Sequence, residues 1–230
     1  MMSERIIEKW SVLFMLLTLL LVLISWIASV YEIGNVQSLL SAEGIRWMLG
    51  HTVSKYVQAP ALAIVLVILM GAGVCVRSGL SDVLRRFLKK GQLLSRRERR
   101  ALRSACLALL IYIMLIVVSL FFPWNFLQGV TGSWLHSPFS RGTVYLLSVG
   151  IGWAGMVFGY VSGSFRSIEE VVAGMSFLIA RKASYFVSLF FVVQFFSYLE
   201  YTCLMDILPV SDEFISVSYQ ICCFLPLILK

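Results

Sequence analysis

Residues 11–30 form an apolar run of twenty residues without a charged side chain, and this run constrains the fold more than any other feature. A helix rises about 1.5 Å per residue, so such a run crosses the roughly 30 Å hydrocarbon core of a bilayer. Four more apolar runs follow, at about residues 59–76, 105–122, 143–162 and 183–198. Because a backbone inside lipid must satisfy its own hydrogen bonds, we predict five transmembrane helices.

The composition agrees with lipid as the main solvent, since 60% of the 230 residues are hydrophobic and only 13% are charged. A soluble domain is about a quarter charged. We therefore predict an all-α, polytopic transmembrane helical bundle that forms a single membrane domain over residues 1–230. A last apolar run, residues 214–229, contains Pro226 and is only sixteen residues long. It is interpreted as a short sixth span, a re-entrant piece or an interfacial helix.

The distribution of Lys and Arg predicts the orientation. Ten of the nineteen lie in residues 77–104, and five more lie in the N-terminal tail and in residues 163–182, against three on the opposite side. Because positive charge marks cytoplasmic loops, we predict a cytoplasmic N-terminus and a basic cytoplasmic loop at 77–104 that lies against anionic lipid. This placement also disfavours a nucleic-acid partner. Residues 31–58 then form an extracytoplasmic loop, in which we predict a surface helix.

Two cytoplasmic segments carry the S-x-x-E pattern of a capping box, Ser95 to Glu98 and Ser167 to Glu170. In this motif the serine and the glutamate each satisfy a free backbone donor of the other residue. Both patterns therefore predict the start of a helix.

Few groups in the predicted spans could carry chemistry. No ionisable residue lies at the middle of a span, and the candidate substrate-binding residues are Gln194, Glu200, Tyr201 and Thr202, all in or just after the fifth span. Gln194 and Glu200 allow two interpretations. Either the amide bonds two helices together and the carboxylate sits in the headgroup layer, or both line a polar site.

Enzyme motifs are missing from the sequence, which has no G-x-S-x-G, no P-loop and no paired carboxylates. The five cysteines form no C-x-x-C pair, and the two histidines, His51 and His136, lie far apart. We therefore expect neither an enzyme nor a metal site, and no cofactor.

A double G-x-x-x-G lies in the fourth span, with Gly155, Gly159 and Gly163 as its glycines. Small residues four apart make a flat helix face that another helix backbone can approach closely. The pattern predicts helix packing, with a partner in the same chain or in another one.

Residues 36–49, VQSLLSAEGIRWML, resemble a segment that follows the first span in the aminobenzoyl-glutamate transporter family. The resemblance continues over residues 59–80, 137–162 and 172–195. It implies a homodimeric secondary transporter of the bacterial inner membrane, with a scaffold and a transport core. It also implies uptake of p-aminobenzoyl-glutamate, or export of antimetabolites such as sulfonamides, driven by sodium or protons.

The resemblance also indicates a shortened member. Family members are longer and carry two blocks with re-entrant hairpins, one of which would follow Leu80. The family's FNWSNLG run reads LEYTCLM here, at residues 199–205. Two hypotheses result. The chain transports an aromatic conjugate through Gln194 and its neighbours, or it is a non-transporting scaffold, accessory subunit or degenerate remnant that holds a partner through the glycine face.

Overall fold

The computed structural model describes residues 2–90, 95–121, 138–207 and 211–228, and these ranges contain helices and no strand. The helices are α1 (Met2–Val30), α2 (Ala42–Gln58), α3 (Pro60–Ser78), α4 (Leu80–Lys90), α5 (Arg96–Phe121), α6 (Pro138–Ser162), α7 (Ile168–Arg181), α8 (Ala183–Thr202) and α9 (Asp212–Ile228). A short 3₁₀ helix, Leu204–Ile207, follows α8. The predicted all-α fold is confirmed.

Five of the described helices are long and apolar enough to cross a membrane, namely Ile7–Val30, Pro60–Ser78, Arg96–Leu120, Gly142–Ser162 and Ala183–Thr202. Each contains most of one predicted span, so the polytopic bundle is confirmed. The last apolar run forms α9, whose apolar part, Glu213–Leu227, is shorter than these five. Its three interpretations therefore stay open, and Leu229 lies outside the described residues.

The chain divides into two compact units. The first combines Met1–Ala63 with Lys182–Lys230, and so contains α1, α2, α8 and α9; the second is Ile64–Arg181. Two compact units can belong to one membrane domain, so a single domain over residues 1–230 stays a prediction.

In the first unit, α8 is the central helix. Its apolar side chains surround the axis, and most of them are buried or half-buried, although Val187 is exposed. Tyr185, Leu189 and Val192 are at most 1% exposed. The ring of Phe14 on α1 packs edge-on against Phe195, with centroids 5.6 Å apart.

The C-terminal helix α9 is tied to α8 by a buried hydrogen bond, in which the Tyr185 hydroxyl donates to the Cys223 carbonyl at 3.0 Å. This bond lies just before Pro226, which has no N–H to donate to the preceding turn. The carbonyl that loses its helical donor at Pro226 is that of Cys222, so the Tyr185 bond lies one residue from the interruption and fastens α9 to α8.

In the second unit, α3 and α6 approach at backbone distance. A Cβ added to Gly71 would meet Ser148, and one added to Gly155 would lie 3.0 Å from the Cys75 nitrogen. The Ser148 hydroxyl donates to the Val67 carbonyl, which adds a hydrogen bond between the two helices. Such small-residue contacts are how helices associate where lipid removes the hydrophobic driving force.

The basic segment at 77–104 is helical over most of its described length, although we predicted a loop there. It contains α4 and the first turns of α5, and residues 91–94 lie outside the described ranges. Val83 of α4 packs against Ala101 and Ala105 of α5 and against Phe158. Its cytoplasmic location stays a prediction.

The capping box at Ser95 is confirmed. The Ser95 nitrogen donates to a Glu98 carboxylate oxygen at 2.9 Å, and the Glu98 nitrogen donates to the Ser95 hydroxyl at 3.3 Å. At Ser167 only one half of the box forms. The Glu170 nitrogen donates to the Ser167 hydroxyl, but the Glu170 carboxylate accepts from the Arg166 nitrogen, at 2.6 Å, and not from the Ser167 nitrogen.

The Ser167 hydroxyl also donates to the neighbouring carboxylate of Glu169. This bond, together with the residue's own backbone N–H, holds the pKa of the Glu169 carboxyl below its usual range. Both carboxylates at the start of α7 thus accept hydrogen bonds near the free donors of the helix N-terminus.

We expect Gly71→Ala to destabilise the protein, because its methyl group would collide with the backbone of α6 at Ser148. Overpacking of this kind costs about 1–3 kcal/mol. At this chain length the midpoint Tm should fall by roughly 2–12 °C, as measured by thermal unfolding in mild detergent. The matched control is Gly50→Ala in α2, where the added methyl group meets nothing within 4 Å. An equal Tm for both variants would contradict the close α3–α6 contact.

Candidate substrate-binding site

Helix α2, which occurs inside the predicted extracytoplasmic loop, packs against α8 through side chains from both of its ends. Near its start, Trp47 stacks on Tyr201 with ring centroids 4.5 Å apart. Near its end, the Tyr56 hydroxyl donates to the Phe186 carbonyl at 3.1 Å, and burial raises the pKa of that hydroxyl. The two contacts are fifteen residues apart on α8, or about 22 Å. A helix is thus present in residues 31–58, and its side chains reach points on α8 that lie far apart; its location at the membrane surface stays a prediction.

Gln194 joins these two helices. Its side-chain nitrogen donates to the Thr52 carbonyl at 2.9 Å, and the Thr52 hydroxyl lies 3.3 Å from the Tyr198 hydroxyl. The Gln194 carbonyl oxygen is buried and has no hydrogen-bond partner within the described part of the chain. This geometry is that of the interhelical hydrogen bond, one of the two interpretations of Gln194. It leaves one buried acceptor, which is an unfavourable arrangement unless another group supplies a donor.

Glu200 contacts a cation of α2, because the Lys55 ammonium lies 3.0 Å from one of its carboxylate oxygens. The Lys55 and Glu200 side chains are 35% and 72% exposed. An ion pair this exposed contributes at most about 1 kcal/mol to stability. Both charges therefore remain free to exchange their partner for a bound ligand.

The other two predicted residues have structural contacts. Tyr201 stacks on Trp47, and Thr202 is fully buried, with its hydroxyl donating to the Leu199 carbonyl at 3.1 Å. The backbone carbonyl of Thr202 accepts a hydrogen bond from the Gln37 nitrogen at 3.2 Å, which ties the segment before α2 to the end of α8. These two residues hold the end of α8 in place.

A cavity of about 640 Å³ opens in the first unit, within the size range of small-molecule sites. It is lined by Lys55, Gln58, Ala59, Pro60, Val193, Phe196, Ser197, Leu199, Glu200, Cys203, Met205, Asp206, Ile215, Ser216 and Tyr219. Of the four predicted residues, Glu200 lines this cavity, and Gln194, Tyr201 and Thr202 do not.

The cavity combines charged ends with aromatic surface. Lys55 supplies a cation, Glu200 and Asp206 supply carboxylates, and Phe196 and Tyr219 supply rings. Such a wall can hold a molecule with an aromatic centre, an anionic group and a hydrogen-bond donor. Sequence analysis missed Lys55, Asp206 and both rings, since they come from separate segments that no spacing rule connects.

The three glycines of the predicted packing face all have neighbours in the second unit. Gly155 lies against Cys75 of α3, and Gly159 lies against the ring of Phe165. Gly163 has a φ of +79°, which favours glycine, and the Arg97 side chain lies beside it. Within the described structure, residues of the same chain therefore cover this face.

The described residues include no group of three or more His, Cys, Asp or Glu side chains that could hold a metal ion. His51 stacks on Trp47 with ring centroids 5.0 Å apart, and His136 lies outside the described residues. The expectation that the protein has no metal or cofactor stays a prediction.

We expect Trp47→Ala to loosen α2 from α8, because Trp47 packs against the rings of Tyr198 and Tyr201 as well as His51. Aromatic pairs contribute about 0.5–1.5 kcal/mol each beyond the buried area. Amide hydrogen exchange over residues 42–58 should therefore become about ten-fold faster or more. The control, Leu49→Ala, alters a side chain of the same helix that is 80% exposed. Unchanged exchange in the Trp47 variant would show that α2 is held by other contacts.

Comparison with known proteins agrees with this architecture. The model of the AbgT putative transporter family matches residues 5–92 and 85–220. Among curated proteins, no sequence match was found.

Two solved structures share the fold. The YdaH transporter of Alcanivorax borkumensis is 18% identical with a TM-score of 0.74, over 85% of this chain and 71% of that protein. MtrF of Neisseria gonorrhoeae, from a class of antimetabolite efflux pumps, is 16% identical with a TM-score of 0.75, over 98% of this chain and 82% of that protein. With the family match covering nearly all of the sequence, this multi-pass membrane protein belongs to the AbgT transporter family.

Proposed function

We propose that the protein is a secondary transporter of the bacterial inner membrane that carries p-aminobenzoyl-glutamate or a related aromatic conjugate. Membership of a transporter family supports transport as the general role. The proposal extends to coupling with a sodium or proton gradient, and to a homo-oligomeric assembly in the membrane. The likeness to MtrF, a protein from a class of antimetabolite efflux pumps, favours substrates of this chemical kind.

The observation that carries the proposal is the Lys55–Glu200 ion pair at the wall of the 640 Å³ cavity. A p-aminobenzoyl-glutamate molecule has an aromatic ring, an amine at one end and two carboxylates at the other. A substrate carboxylate would compete with Glu200 for Lys55, and the amine would donate to Glu200 or Asp206. The ring would lie against Phe196 and Tyr219.

The ion pair also suits a transporter because it is exchangeable. A substrate carboxylate that replaces Glu200 keeps Lys55 paired, and the displaced Glu200 carboxylate is exposed to water. No buried charge is therefore left without a partner. When the substrate leaves, Glu200 returns. The net gain in binding is therefore moderate, which permits release on the far side.

Gln194, Tyr201 and Thr202 act in this proposal by positioning the wall. Gln194 holds the backbone of Thr52, three residues before Lys55 on α2. Tyr201 and Thr202 are the last two residues of α8 and directly follow Glu200. Changing any of them would move the charged pair without touching the substrate.

The scaffold hypothesis needs the glycine face of α6 to receive a partner. Cys75, Phe165 and Arg97 of the same chain lie against the three glycines of that face. This arrangement favours transport over a scaffold role that uses Gly155, Gly159 and Gly163.

We expect gradient-dependent uptake of labelled p-aminobenzoyl-glutamate by proteoliposomes that contain the protein. Lys55→Gln should lower the uptake rate at subsaturating substrate by about 10- to 100-fold, since hydrogen bonds to a charged group contribute about 1.5–3 kcal/mol. Arg46→Gln, which removes an exposed cation from the same helix, should leave the rate unchanged. Gln194→Leu should reduce uptake through the position of α2.

A full-length family member serves as the positive control. No uptake by this folded protein, with that control active under either gradient, would contradict the transport proposal. Normal uptake by Lys55→Gln would instead contradict the cavity as the binding site.

A further inference from the structure

Four arginines at the start of α5 share one face of the helix. Arg96, Arg99, Arg100 and Arg103 follow the spacing of three, four and seven residues that places side chains on one side. All four are exposed. On the opposite side, Ala101 and Ala105 are 0% and 2% exposed, because they pack against α4 and α6.

The same face of α5 continues as an apolar stripe. Leu107, Leu110, Ile111 and Met114 extend the helical spacing of the arginines, and these side chains are 59–64% exposed. In a membrane-spanning helix an exposed apolar stripe faces lipid chains. The arginines therefore face the lipid perimeter and not the centre of the unit.

The arginines also lie at headgroup depth. Arg103 precedes Leu107 by one turn, about 6 Å, and Arg96 lies about 10 Å further out along the axis than Arg103. The polar layer of a bilayer is several ångströms thick on each side of the hydrocarbon core. Long arginine side chains reach the phosphates of that layer from such positions.

Helix α4 adds an amphipathic surface beside these arginines. Val83 anchors it to α5, and an ion pair joins Arg86 to Glu98 with 2.8 Å between nitrogen and oxygen. Leu84, Phe87 and Leu88 remain 45–74% exposed, and Arg85 lies at the edge of this apolar face. A short basic helix with an uncovered apolar face is typical of a helix that lies in the membrane interface.

We infer that the exposed face of α4 and the four arginines of α5 form a binding surface for the phosphate groups of anionic phospholipids. The apolar side chains of α4 enter the acyl boundary while the arginines pair with the headgroups. A second copy of the chain is a poorer occupant, because it would place like charges opposite one another. The inference is independent of the transported substrate.

Native mass spectrometry of the protein in mild detergent tests the inference, with phosphatidylglycerol and phosphatidylcholine as probes. Each cation near a membrane surface contributes about 1 kcal/mol, a factor of roughly five in affinity. We expect Arg99→Gln/Arg103→Gln to weaken phosphatidylglycerol binding by roughly 25-fold and to leave phosphatidylcholine binding unchanged. Arg99→Lys/Arg103→Lys, which keeps both charges, should bind within a few-fold of the unmodified protein. Circular dichroism and gel filtration establish that each variant is folded.

The control for net charge is Arg46→Gln, which removes an exposed arginine of the first unit. It should leave phosphatidylglycerol binding unchanged. Inorganic phosphate at the lipid concentration should not displace the lipid, since it lacks acyl chains. Undiminished phosphatidylglycerol binding by the double Gln variant would overturn the inference, as would an equal loss in Arg46→Gln or displacement by inorganic phosphate. A loss of oligomers with unchanged lipid binding would assign the surface to a contact between copies.

Discussion

The extensive burial of α8 determines the arrangement of the first unit. A helix satisfies its own backbone hydrogen bonds, so it presents only side chains to the neighbours that pack against it. Phe195 receives an aromatic ring from α1, and Tyr185 donates a hydrogen bond to α9. Gln194 donates to α2. Each neighbour is therefore attached by a specific aromatic contact or hydrogen bond at a defined position along α8.

In the second unit, helices are held together mainly by small residues. Lipid chains are as apolar as leucine, so helices gain little by burying large apolar side chains against each other. Gly71 and Gly155 let the backbones of α3 and α6 approach, and Ser148 adds a hydrogen bond across that contact. Large apolar residues of α5, such as Leu107 and Ile111, are left to face outward.

The charged groups of the two proposed sites lie close to helix ends. The Lys55–Glu200 pair is at the end of α2 and of α8, beside the cavity, and the arginines of α5 precede its apolar run. Charges at these levels avoid the unfavourable free energy of the hydrocarbon core while staying close to it. The proposed substrate site and the proposed lipid surface use charges in this way, at separate places in the fold.

Much of the fold could be predicted from the sequence, because hydropathy and length decide whether a helix can span a bilayer. The five spans and the capping box at Ser95 followed from local pattern, and so did family membership. Helix α4 was missed because its charges resemble those of a loop, although its apolar residues recur at helical spacing.

Local sequence therefore determined which segments are apolar and, apart from α4, which are helical. Only the tertiary structure decided that α2 packs against α8, that Gln194 bonds to Thr52, and that Lys55, Glu200 and Asp206 line one cavity. Those contacts join residues far apart in the chain, and they depend on packing between helices, which no single segment encodes.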